Sequence, residues 1–122
     1  MARGLETFLA VLTLGICNGP AAADPLLRDF STCTGRYSAL VEHQWLVDGP
    51  ASEQSARVRD ALWSLVEAVA GPEETKAAMG WRIEAKAAQR ALLARVWLDG
   101  DRAAEMRSAQ LLQACADLVG QS

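Results

Sequence analysis

The chain has 122 residues, 51% of them hydrophobic and 22% charged, and 12 Lys and Arg against 15 Asp and Glu leave a formal net charge of −3 at pH 7. A length of about one hundred residues once a leader is removed supports one core and not two. The acidic balance argues against nucleic acid as a partner, because neutralising phosphates takes a basic face or stripe.

At the start, Thr7 to Cys17 form an apolar run too short to cross a bilayer as a helix. Arg3 supplies a thin positive region, Asn18-Gly19-Pro20 break the helix, and Ala21-Ala22-Ala23 offer the small residues of a cleavage site. Residues 1–23 are therefore predicted to be a cleaved signal peptide, leaving a helical domain at 24–122 in the periplasm or outside the cell. Leu14-Gly15-Ile16-Cys17 approximates a lipoprotein box but has Ile16 where that box wants Gly, Ala or Ser, so no stable membrane anchor is expected after cleavage.

Asp24-Pro25 reads as a cap and first turn of the first mature helix. Leu26, Phe30, Cys33, Tyr37, Leu40, Gln44 and Val47 then recur at spacings of four and three, an inward seam. Gly35 either kinks this helix or lets another backbone approach it. Asp48-Gly49-Pro50 ends it. Ser52 is expected to cap a second helix reaching Ala70, with Val58, Ala61, Leu62, Leu65, Val66 and Val69 inward and Glu53, Asp60 and Glu67 on a solvated face.

The third helix, expected from Pro72 to Leu98, is the longest uninterrupted pattern and is apolar on two sides. Ala78, Trp81, Ala85, Ala88, Leu92 and Val96 form a core stripe; Met79, Ile83, Ala87, Ala94 and Trp97 form a second one, flanked by Lys86 and Arg90. Another helix of the chain covers the second stripe, which would make this the central helix, or else a partner covers it. Asp99-Gly100 closes the helix. Asp101 caps a fourth that ends near Gly120, with Ala104, Ser108, Leu111, Cys115 and Leu118 as its seam.

Short connections and the absence of strand-like alternation give an all-α fold, an up-and-down four-helix bundle. Cys33 lies early in the first helix and Cys115 late in the last, two ends that sit side by side in such a bundle, so these cysteines are predicted to pair. A redox or metal role would need C-x-x-C or Cys/His spacing that the chain lacks.

Chemistry is sparse. His43 is the single histidine and cannot hold a metal alone. A c-type haem attachment needs C-x-x-C-H, which is absent, and an axial pair would require His43 opposite Met79 or Met106. No nucleophile, phosphate loop or carboxylate pair forms a catalytic motif, so no enzyme activity and no cofactor are expected. Four tryptophans are a heavy load for this length. Trp97, on the second stripe among arginines, suits a binding hot spot.

The segments CTGRYSALVEHQWL and WRIEAKAAQRALL, with the leader and the cysteine pair, resemble the small uncharacterised exported helical proteins of alphaproteobacterial type. That resemblance implies no assigned function. Ala88-Gln89-Arg90 before an apolar run is also similar to periplasmic lysozyme-inhibitor-like helical proteins, which usually carry more cysteines. The expectation is a non-enzymatic periplasmic interaction module that presents Met79, Ile83, Lys86, Arg90 and Trp97 to a protein partner or a second copy. The alternatives are a small-ligand or haem-type binder using the bundle interior, or a lysozyme-inhibitor-like protein.

Overall fold

The computed structural model describes residues 23–120. Of the leader expected at residues 1–23, residues 1–22, Cys17 among them, lie outside the described residues, and Ala23 is the first residue of the first helix. Four helices follow: α1 Ala23–Val47, α2 Gly49–Val69, α3 Thr75–Asp99 and α4 Arg102–Leu118. Among the described residues there is no strand. The fold is the expected up-and-down four-helix bundle, with Cys33 and Cys115 bonded at a Cα separation of 5.3 Å.

Local chemistry sets the helix boundaries, and three differ from expectation. α1 begins at Ala23, so Asp24, expected as its cap, lies inside the helix. α2 starts before Ser52, because Asp48 is the cap: its Oδ1 accepts from the Ala51 amide at 3.2 Å, with Pro50 in the first turn. Ser52 is buried inside the helix, its hydroxyl donating to the Gly49 carbonyl at 2.6 Å. α3 starts at Thr75 and not at Pro72. Gly71 to Glu74 instead form a tight turn, in which the Glu74 amide donates to the Gly71 carbonyl and the Glu74 carboxylate accepts from the Gly71 amide at 2.7 Å. Gly100 closes α3 in the left-handed conformation, φ 61°, which favours glycine. Asp101 caps α4 by accepting from the Ala104 amide at 3.0 Å.

The central helix is α1, and not α3 as the two stripes suggested. α2 and α3 both pack along α1, α4 packs on α3 and α1, and α2 has few close backbone approaches to α3 or α4. Burial on α1 runs well beyond the predicted seam. Leu27, Ser31, Thr34, Gly35, Ser38, Ala39 and Val41 are all buried, whereas Leu26 and Val47 of that seam are exposed. Small residues let the neighbours come close, and their hydroxyls need no outside partner where they bond back along the helix. Thr34 donates to the Phe30 carbonyl at 2.8 Å and Ser38 to the Thr34 carbonyl at 2.9 Å.

Two apolar clusters flank α1. Cys33, Tyr37, Val58, Leu62, Cys115 and Ala116 join α1, α2 and α4. Leu27, Val66 and Ala78, with Phe30, Trp63 and Trp81 half-buried around them, join α1, α2 and α3. Ala61, expected inward on α2, is exposed. On α3 the buried residues are Ala78, Gln89 and Leu93, so the covered arc is turned roughly 50° from the predicted core stripe at 100° per residue. The turn brings Arg82 and Lys86 toward α1, buries Gln89 against α4 and leaves Ala88 outside.

Candidate functional site

α1 and α3 run parallel and end in nearly the same letters: Trp45-Leu46-Val47-Asp48-Gly49 and Trp97-Leu98-Asp99-Gly100. α1 stops at Asp48, the cap of α2, and α3 at Asp99 before the left-handed Gly100, so neither helix has length left in which to fold its Trp-Leu pair back. The two pairs therefore stand side by side at one end of the bundle. Trp45 and Trp97 are each 64% exposed, Leu46 86%, Leu98 75% and, further down α3, Ile83 62%.

Between the helix ends lies an open cleft of about 480 Å³, lined among others by His43, Trp45, Leu46, Arg90, Trp97 and Leu98. The His43 and Trp97 rings meet edge to face, centroids 5.9 Å apart and planes at 79°. This contact fixes one wall of the cleft across the two helices. Arg90 stands at its rim with no ion-pair partner among the described residues. The surface therefore combines exposed indoles with an arginine, the residue types that carry most binding energy at protein interfaces, and leucines that add apolar area around them.

The predicted patch is only partly assembled. Arg90 and Trp97 share the cleft, while Met79 and Ile83 are exposed on α3 outside its lining. Lys86 is drawn inward to pair with Glu42 of α1, where both side chains are half-buried. Arg82, at the patch edge, stacks 4.7 Å from the centre of the Trp63 ring and donates to Ser38 Oγ at 3.3 Å. Burial, and next the nearby Arg59, hold its guanidinium below the ordinary value, against the pull of Asp60. Glu53, Asp60 and Glu67 stay exposed and make no ion pair with Arg82, Lys86 or Arg90.

Sequence reasoning missed Trp45, Leu46 and Leu98. A helix wheel scores faces and not ends, so the shared Trp-Leu ending of two parallel helices was the signal to read. Neither Met79 nor Met106 lines the cleft that holds His43, which gives no support to the axial pair a haem would need. Among the described residues no three His, Cys, Asp or Glu side chains converge, and no helix is long and apolar enough to cross a membrane. Compared with protein-family models, curated proteins and solved structures, the chain matches none of them.

Proposed function

We propose that the chain is an exported, non-enzymatic interaction module that docks through the Trp-Leu end of α1 and α3, and that the occupant of this face is a second copy of the chain. The observation that carries the reading is the exposure of Trp45, Leu46, Trp97 and Leu98 together on one surface. Trp45 and Trp97 expose on the order of 150 Å² each, and with Leu46 and Leu98 the face supplies a large share of the roughly 800 Å² that one partner gives to an interface of standard size. An isologous contact matches such a patch with itself and closes at two subunits. Export is supported by the leader-like start and by a disulfide suited to an oxidising compartment.

Sedimentation equilibrium tests this. The wild-type chain is expected to dimerise, and Trp97→Ala or Leu46→Ser to leave monomers with unchanged helix content. A wild-type chain that stays monomeric up to about 1 mM, where an association worth roughly 4 kcal/mol would show, sinks the self-docking reading and leaves the face to a foreign protein.

A further inference from the structure

On the flank of α3 opposite the Trp97 cleft, α1, α3 and α4 enclose a second groove of about 980 Å³. Its lining carries four arginines, Arg28, Arg36, Arg95 and Arg107, against two acids, Asp29 and Glu84. An acidic chain thus gathers positive charge in one place. Of these arginines only Arg95 has a carboxylate within ion-pair distance among the described residues, Asp101 at 3.7 Å. Arg28 lies 5.6 Å from the centre of the Trp81 ring, and Arg36 directs Nη1 at the Cys115 sulfur, 3.7 Å away.

Arg36 and Arg107 repel one another. Burial first, and Arg107 second, hold the Arg36 guanidinium below its ordinary value, with Asp29 opposing. Both guanidiniums line the same groove and neither has a carboxylate within ion-pair distance among the described residues, which suits them to an oxyanion that each can bind through paired N–H donors. Beside them the surface turns apolar, with Ala85, Ala88, Leu92, Leu111 and Ala114 along the groove. Alanines on both α3 and α4 keep the side chains along this floor short, and apolar walls with a few placed charges are the usual make-up of a small-molecule site.

We propose that this groove binds an amphipathic oxyanion, its carboxylate or phosphate head between Arg36 and Arg107 and a single hydrocarbon chain along the alanine-lined floor. The ligand reaches the groove free in solution or from a bilayer surface.

The test is calorimetric titration of the native, disulfide-bonded chain with laurate, dodecyl phosphate, inorganic phosphate and dodecyltrimethylammonium. Laurate and dodecyl phosphate are expected to bind once per chain, inorganic phosphate at least tenfold more weakly and the cation not at all. Arg36→Gln combined with Arg107→Gln should weaken laurate at least tenfold. Arg107→Gln alone, at an exposed position that leaves the fold intact, should weaken it about threefold, and Trp97→Ala should leave it unchanged. Flotation with phosphatidylglycerol vesicles separates the sources: capture lost in the arginine variants marks a bilayer ligand, and laurate binding without capture marks a free one. The proposal is overturned if laurate does not bind, if the cation binds equally, if the arginine variants bind as the wild type does, or if Trp97→Ala abolishes binding.

Discussion

Gly35 of α1 rests directly against the Arg82 carbonyl of α3: a β-carbon at position 35 would overlap that oxygen and lie 3.0 Å from the Lys86 amide nitrogen. The obstacle is helix backbone, which does not swing aside as a side chain would. Gly35→Ala should therefore push α1 and α3 apart and cost about 3 kcal/mol, the upper end for overpacking a tight interior. Urea denaturation measures it. A gain in stability, as expected from alanine's better helix propensity alone, would show that the two helices are not in contact there.

Cys33 and Cys115 are 82 residues apart in sequence, so their bond restricts nearly the whole described chain when it unfolds. Replacing both by serine should lower stability by about 4 kcal/mol on the chain-entropy account. The native protein should show no thiol at either position to a thiol reagent until it is denatured and reduced.

Gln89 is buried on α3, and its Nε2 donates to Ser108 Oγ of α4 at 2.8 Å, while its Oε1 has no partner. Ser108→Ala leaves the whole amide unpaired and should cost about 1 to 3 kcal/mol. Adding Gln89→Leu removes the stranded group, so the double variant should recover most of that loss. A double-mutant cycle gives the coupling, and independent, additive effects would contradict the hydrogen bond.

Tyr37 donates its hydroxyl to the Leu112 carbonyl at 3.3 Å, and burial, followed by the charge of Asp117, pushes the phenol up from 10.0. The neutral form is thus favoured in the folded state. The stability this contributes is complete below pH 10, the value in the unfolded chain, and is lost as pH rises through the folded value. Tyr37→Phe should cost about 1 kcal/mol at neutral pH from the lost hydrogen bond and should flatten the decline of stability above pH 10. An unchanged alkaline decline would assign it to other groups.

Helix count, turn positions and the cysteine pair were all legible in the sequence, because Asp-Gly stops and apolar spacing are local signals. The identity of the central helix was not. Ser31, Thr34 and Ser38 count as polar on a helix wheel, yet all three are buried in α1, and two of them bond back to their own helix. The apparent second stripe of α3 misled in the opposite sense: Ile83 and Trp97 are left uncovered, and Lys86 beside them leaves the surface for Glu42. Pattern reading found Trp97 and Arg90. It missed Trp45 and Leu46, whose significance depends on which helix ends become neighbours.

The backbones of α2 and α3 each come close to α1 and seldom to one another, so the first helix is the seat on which both outer helices rest. The Cys33–Cys115 bond, with its Cα atoms 5.3 Å apart, joins α1 to α4, two helices that otherwise approach each other sparingly. Cys33 and Cys115 are the only cysteines among the described residues, so reshuffling within them has no rival pairing to offer, and the bond acts as a latch that holds the first helix to the last.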